Sequence, residues 1–482
     1  MEFEITKWPD IKTKVLSSIL MDDLAKARDL LHKNNTELDL VRELLNQVDN
    51  ETRPLENHAT RPPKDIFTPV SYTCGIGCEM CISGYGDRTS IFEDYKYLSP
   101  EQFDEILPWI ETADHVVYVG TGETLDNPHI YDFVKKSTGK PSTLMTSGLA
   151  LTKNKVKRLI GSNLETLCFS FDGITSAGHG SGSKKYWDSI WDRIDMIQSL
   201  KRELDSDTPH IMLNMVVDIE NVDQIDEMVD LLLCKNASML HLSAMIPHNE
   251  SLFNKSIFTD FKHYQKIINR SIKRGNEKGL QVQIDDTDEL KDFQPCPYAD
   301  NRLVFNIDRY QPSVCCGPIE MPLKITGPCN DTYWNSFPFR YFRFMHATGN
   351  AETLPTACDT CWIMNPLKFS EKIQPQDNDF DAQPLYLQAG ELKRNNQWAE
   401  AENIYKTITE KSPDPTWKGK AFFHLAEQKI REKNYPKAYA LLQETVKNYY
   451  EHQLAFVYFY LLMIVLEQNQ EEKSLETLQC NV

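Results

Sequence analysis

Three cysteines, Cys74, Cys78 and Cys81, share the short loop sequence Cys-Gly-Ile-Gly-Cys-Glu-Met-Cys. Thiolates at this spacing can hold a metal centre. A [4Fe–4S] cube normally takes four thiolates, so three leave one iron open, as catalytic metal sites require. Gly75 and Gly77 let the loop wrap an inorganic core, because glycine has no Cβ to clash. A structural zinc knuckle would need a fourth Cys or His at ligand spacing, and none lies between Val70 and Ser90.

A second set, Cys296, Cys315, Cys316, Cys329, Cys358 and Cys361, falls later in the chain. Cys358-Asp-Thr-Cys361 can chelate one metal from a tight turn, with remote cysteines completing the site. Iron–sulfur and zinc both suit such a set. Cys168 and Cys234 sit at apolar positions of a strand and a helix, which predicts small core residues.

Six apolar runs could position these groups: Ile66–Tyr72, His115–Val119, Ser142–Met145, Thr166–Phe171, Ile211–Val217 and Met239–Ala244. Helical patterns lie between them, among them Pro100–Thr112, Lys153–Gly161, Tyr186–Arg202 and Val222–Cys234. This alternation predicts an α/β fold with a parallel sheet, either a partial barrel or an open sheet. Residues 1–50 read as helices, 51–65 as a linker and 66–290 as the α/β core. Residues 291–365 are rich in Cys, Pro and aromatics, as in a small metal-stapled module, and 366–383 form a second linker. Residues 384–482 carry an internal repeat at an offset of 37 residues, in which Ala389, Trp398, Ala401 and Tyr405 correspond to Ala426, Tyr435, Ala438 and Leu442. Small residues where helices touch, with large ones beside them, resemble tetratricopeptide repeats; an unrelated helical bundle is the alternative.

Composition bounds the partners. The net charge is −18, from 52 Lys and Arg against 70 Asp and Glu. That argues against broad nonspecific contact with nucleic acid or anionic lipid. The amino terminus lacks a secretory pattern and the longest apolar run, Leu454–Leu466, is too short to span a bilayer, so a cytoplasmic location is expected. There thiols stay reduced, which favours ligation over disulfides for the 12 cysteines.

The Cys-x3-Cys-x2-Cys loop after the first strand resembles the signature of the radical S-adenosylmethionine superfamily. Further motifs follow in the order that family shows: Gly120-Thr-Gly122-Glu123, Thr146-Ser147-Gly148, Ser170-Phe-Asp172-Gly173, and Asn214 with Val217 on the fifth strand. The resemblance implies a partial (β/α)6 barrel. It also implies a [4Fe–4S] cluster on Cys74, Cys78 and Cys81, with S-adenosylmethionine bound at its open iron. Gly120, Gly122 and Glu123 would receive the cofactor's ammonium group, and Ser147, Ser170 and Asp172 its carboxylate and ribose, with Asn214 a further cofactor-binding residue. One electron would then cleave the sulfonium, giving methionine and a 5′-deoxyadenosyl radical that abstracts a substrate hydrogen. The sequence departs from the family at Met80, where an aromatic residue is usual before the last cysteine. Tyr85 is the candidate to stack on adenine in its stead, with a packing role as the alternative.

The order Cys296, Cys315-Cys316, Trp334-Asn335, Cys358-x2-Cys361 resembles the auxiliary-cluster domain called SPASM or twitch, without its full cysteine complement. It implies one auxiliary [4Fe–4S] cluster on Cys296, Cys316, Cys358 and Cys361, with Cys315 an alternative to its neighbour and Cys329 spare; structural zinc is the competing reading. Family members with such domains modify peptides or proteins, or oxidise sugars and amino alcohols. The repeats favour a peptide or protein substrate. A flavodoxin, ferredoxin or reductase would supply the electron. A small-molecule dehydrogenase and a non-catalytic iron–sulfur or zinc scaffold are the other readings. His241 and His248, flanking the sixth strand end, are candidate substrate contacts.

Overall fold

The structure is a computed structural model. It describes all residues except 1–9, 35–36, 49–54, 56–57, 75–77, 79, 82–95, 121, 138, 174–183, 249, 307–310, 316–320, 324–330, 349–353, 374–379 and 480–482. The chain forms two compact units, one of Met1–Arg61, Tyr310–Asp359 and Gln376–Val482, the other of Pro62–Arg309 and Thr360–Pro375.

The second unit contains β1 (Asp65–Pro69), β2 (His115–Val119), β3 (Ser142–Thr146), β4 (Thr166–Ser170), β5 (His210–Val217), β6 (Met239–Ala244), β7 (Gln281–Ile284) and β8 (Arg302–Asn306). Their spatial order is β7-β6-β5-β4-β3-β2-β1-β8, and every neighbouring pair is parallel. From β1 to β7 each strand lies beside its predecessor without the reversal that marks a doubly wound sheet. This is barrel winding, which decides between the two arrangements that the periodicity allowed. No ladder joins β7 to β8 among the described residues, so the barrel is partial. The sequence pattern did not indicate β7 or β8. Gln-Val-Gln-Ile is short and half polar, and Arg-Leu-Val-Phe-Asn lies in the stretch that reads as a cysteine-rich module.

Helices cover one face of this sheet. The helix Pro100–Thr112 begins with a capping box, in which Gln102 N donates to Ser99 Oγ and Ser99 N donates to Gln102 Oε1, with Pro100 at its first position. Its Phe103 stacks on Phe133 of the helix Ile130–Lys136, with ring centroids 4.2 Å apart, beside Tyr118 of β2. Tyr118, Leu144, Leu167, Phe169, Leu213 and Leu240 are fully buried on that side. In a β/α barrel the helices lie outside, so the opposite strand face is the inner one. Successive side chains alternate between faces. The inner face therefore carries the in-register row Ser170, Asn214, His241 and Gln283 across β4 to β7.

The first unit is helical apart from short segments. It begins with the helices Ile11–Leu20, Leu24–Lys33 and Asp39–Asn46 and includes Phe337–Thr348. It ends with Ala382–Arg394, Trp398–Lys411, Pro415–Arg431, Tyr435–Asn448 and Gln453–Gln479. Trp398 and Tyr435, paired by the sequence repeat, each open a 14-residue helix. Ala389, Ala401, Ala426 and Ala438 are fully buried where helices meet, beside Tyr405 and Leu442. Phe337 packs its ring against Phe456, Phe459 and Tyr460. Arg340, fully buried, pairs with Asp22 at 3.0 Å, and Tyr460 OH donates to the same carboxylate. The amino-terminal helices and the last helix thus belong to one core. Among the described residues no helix is long and apolar enough to cross a membrane.

Candidate active site

The chain leaves β1 along Val70 to Thr73 and reaches Cys74. Both flanks of this segment are held by main-chain hydrogen bonds. On one side Tyr72 N donates to Lys96 O and Leu98 N to Val70 O. On the other, Val70 N donates to Val119 O, Gly122 N to Ser71 O at 3.0 Å and Glu123 N to Thr73 O at 2.7 Å. Buried Asn127 ties the flanks together, donating through Nδ2 to Val70 O and Leu98 O. Gly120 and Gly122 make the close approach possible. A Cβ on Gly120 would stand 2.5 Å from Ser71 O, and one on Gly122 would stand 2.4 Å from Thr73 O. The glycines are thus used in backbone packing against the approach to the cysteines, a use the ammonium reading did not include.

Cys78 and Cys81 are joined by a turn in which Cys81 N donates to Cys78 O at 3.1 Å. Both are half-buried and Cys74 is exposed. The thiols suit a [4Fe–4S] cluster in donor chemistry and in access, while among the described residues no three Cys, His, Asp or Glu side chains are gathered into a metal site. Gly75, Gly77 and Tyr85 lie outside the described residues, and Met80 is half-buried in the turn before Cys81.

Glu123 is buried, and its carboxylate accepts four hydrogen bonds. Leu125 N and Thr146 Oγ1 donate to Oε1 at 3.1 and 2.5 Å; Ser147 N and Ser147 Oγ donate to Oε2 at 2.9 and 2.6 Å. Four donors fill the usual acceptor capacity of a carboxylate. The resemblance assigned this side chain to a ligand ammonium, whereas here it joins the loop after β2 to the end of β3. Ser147 is turned to Glu123 through both its N–H and its hydroxyl. Gly148, at φ +78°, then turns the chain where a Cβ would meet the Phe169 ring at 2.5 Å.

At the end of β4, Asp172 Oδ1 accepts from Val216 N at 3.0 Å, while Asn221 Nδ2 donates to Asp172 O. Asp172 is buried and Ser170 half-buried. Asn214 lies between Ser170 and His241 in the register. Its Oδ1 faces His241 Nδ1 at 2.7 Å and accepts from Ser243 Oγ at 3.0 Å. His241 Nε2 lies 3.3 Å from the backbone N of Asp286 and 3.2 Å from its Oδ1. Arg302 Nη2 donates to Asp286 Oδ2 at 2.7 Å and Tyr298 OH to the same oxygen at 2.9 Å. The Arg302 guanidinium lies over the rings of Tyr298 and Phe67. Side chains therefore link β7 to β8 where no ladder does.

Asp285 and Asp286 form a two-residue turn with both φ positive, 45° and 62°, and with mutual hydrogen bonds between Ile284 and Thr287. This is the hairpin turn that prefers Asn-Gly, and Asp tolerates it better than most residues. Burial pushes the Asp285 carboxyl up to about 7, against the pull of His241. For Asp286 burial also acts upward, but the His241 hydrogen bond and the Arg302 charge outweigh it and hold that carboxylate well below its usual range. Sequence reasoning singled out Asn214 and His241 and missed Asp285, Asp286, Tyr298 and Arg302. The adjacent aspartates after a short alternating run were the available sign of a turn.

The remaining expectations divide. Cys168 is fully buried, and burial pushes its thiol up to about 12, in keeping with a core residue. Cys234 is exposed, which corrects its assignment to the core. The end of its helix turns it outward, while Met228, Val229 and Leu232 face inward. His248 is half-buried after β6. Of the second cysteine set, Cys296 and Cys361 belong to the barrel unit and Cys315 and Cys358 to the helical unit, while Cys316 and Cys329 lie outside the described residues.

Residues 68–232 match the family model described as Radical SAM superfamily. A tungsten-containing aldehyde ferredoxin oxidoreductase cofactor-modifying protein of Pyrococcus furiosus is 22% identical over 248 residues, 50% of this chain and 67% of that protein. A PqqA peptide cyclase of Rhizobium meliloti is 22% identical over 241 residues, 48% of this chain and 61% of the cyclase. Among solved structures, Streptococcus suis SuiB bound to S-adenosylmethionine is similar at a TM-score of 0.46, with 12% identity over 76% of this chain and 85% of SuiB. Native anSMEcpe with bound AdoMet is similar at 0.47, with 13% identity over 64% and 95% of the two chains.

Proposed function

We propose that this chain is a radical S-adenosylmethionine enzyme that abstracts hydrogen from a peptide or protein. The observation that carries the reading is the bracing of the Cys74–Cys81 approach, through Gly120–Glu123, to the end of β3. The domain match over the same strands supports it. Cys74, Cys78 and Cys81 would hold the [4Fe–4S] cluster. When bound, that cluster supplies the electron that cleaves S-adenosylmethionine to methionine and a 5′-deoxyadenosyl radical. The chain's own part is placement. Glu123 keeps the β2 loop and the end of β3 in register around the site. Ser170 and Asn214 offer polar groups on the inner face, and Asp172 holds the end of β4 against β5 through Val216 N. The similarity to a peptide cyclase and the buried-alanine helix repeats favour a peptide or protein over a small molecule. A flavodoxin- or ferredoxin-type donor would deliver the electron. The resemblance of the order Cys296, Cys315-Cys316, Cys358-x2-Cys361 to an auxiliary-cluster domain supports one further [4Fe–4S] cluster, with zinc as the competing metal and Cys315 as an alternative to Cys316.

The test is anaerobic reconstitution followed by reduction. Wild-type protein should bind about eight irons, two cubes of four, and release 5′-deoxyadenosine slowly without substrate. Cys78→Ala should release none. Protein with a verified, reduced cluster and bound cofactor that yields no deoxyadenosine would overturn the enzymatic reading.

A further inference from the structure

Asn214 Oδ1 is engaged twice, by His241 Nδ1 at 2.7 Å and by Ser243 Oγ at 3.0 Å. An amide oxygen can only accept, so the imidazole carries its proton on Nδ1. Nε2, on the ring's other edge, stands 3.3 Å from the backbone N of Asp286 and 3.2 Å from its Oδ1, so the turn after β7 holds the imidazole in place. Asp286 is fixed in turn by its left-handed turn, by Arg302 and by Tyr298. The chain of contacts runs in one direction: the latch between β7 and β8 orients His241, and His241 with Ser243 orients the Asn214 carboxamide. No acceptor among the described residues takes the two hydrogens on Asn214 Nδ2. Yet Asn214 is only 9% exposed and sits in the inner-face row between Ser170 and His241. Without its two oxygen-side partners the carboxamide could rotate and present its oxygen in place of its donors.

We infer that His241 and Ser243 are positioning residues that lock the Asn214 carboxamide with its N–H donors toward the barrel interior, where they meet an oxygen of bound S-adenosylmethionine. This rests on the proposed function, since it needs that cofactor in the barrel. An oxygen acceptor is selected because only donors are presented.

The experiment measures S-adenosylmethionine affinity by equilibrium dialysis on anaerobically reconstituted full-length protein, with iron content and thermal melting recorded for each variant. Wild-type protein should bind. Asn214→Asp, which exchanges the donors for a carboxylate, and His241→Phe, which removes the Nδ1 donor, should each weaken binding about 2- to 13-fold or more, the loss of at least one hydrogen bond. Ser243→Ala should weaken it less, and His241→Asn, whose amide N–H can stand in for Nδ1, should recover part of the loss. For uncoupled cofactor cleavage the variants should raise KM with kcat nearly unchanged. If His241→Phe and Ser243→Ala, with normal iron content, bind as tightly as wild type, the positioning role is wrong. If Asn214→Asp also binds normally, the donors meet no cofactor atom. Should His241→Phe fail to fold, Ser243→Ala and Asn214→Asp decide the matter. Absence of binding by reconstituted wild-type protein would instead overturn the proposed function.

Discussion

The main chain of Gly122 lies against that of Thr73 so closely that a Cβ on the glycine would stand 2.4 Å from the Thr73 carbonyl oxygen and 2.5 Å from its nitrogen. Neither atom can swing aside as a side-chain tip can. The contact joins the loop after β2 to the last residue before Cys74.

Gly122→Ala should therefore push the approach to the cysteine loop away from β2. The expected cost is about 1–3 kcal/mol, as for other over-packed sites, read from urea unfolding of the apoprotein. Iron incorporation should fall with it. Normal stability together with normal iron content would show that the loop can shift without loss.

Glu123→Gln keeps the size of the side chain but turns one acceptor into a donor. Its amide would face the hydroxyl of Thr146 or the N–H and hydroxyl of Ser147, which donate to the carboxylate at 2.5–2.9 Å. A lost acceptor in a buried site costs about 1–3 kcal/mol. We expect reduced stability at neutral pH alongside weaker S-adenosylmethionine binding. Weak binding with full stability would support Glu123 as a direct ligand group for the cofactor's ammonium.

Asp285 should impose a pH dependence on stability. Its carboxyl ionises at about 3.9 when unfolded and at about 7 in the fold. Between those values the native state binds more protons, so stability falls as pH rises. Below pH 4 the effect vanishes, and above 7 it is complete. The Tm of Asp285→Asn, relative to wild type, should rise from pH 4 to 7 and then level off. A difference that does not vary with pH would mean that the carboxyl, facing His241 and Asp286, ionises normally.

Phe337→Ala should destabilise the helical unit by about 3–5 kcal/mol, the usual cost of deleting a buried aromatic ring. Phe337 is fully buried against Phe456, Phe459 and Tyr460. The check is chemical unfolding followed by near-ultraviolet circular dichroism. An unchanged midpoint would show that the last helix repacks around the gap.

The sequence by itself determined the six strands from β1 to β6, because each is a run of apolar residues between punctuated helical patterns. His115–Val119 and Met239–Ala244 have the expected bounds. The cysteine loop was equally legible, since its ligands are neighbours in the chain. So were the paired helices that open at Trp398 and Tyr435, where alanines recur at a fixed offset. Only the tertiary structure decided the rest. Strand order is a matter of which backbones pair, and periodicity carries no record of it, so barrel winding had to be seen. The work of Glu123 depends on Thr146 and Ser147, and Asp286 joins His241 to Arg302 across gaps in the chain that no local pattern spans. The helical unit gathers the first helices, Phe337–Thr348 and the last helix because their apolar faces are buried together. Hydrophobic burial has no direction along the sequence, and a linear reading therefore divided what packing unites.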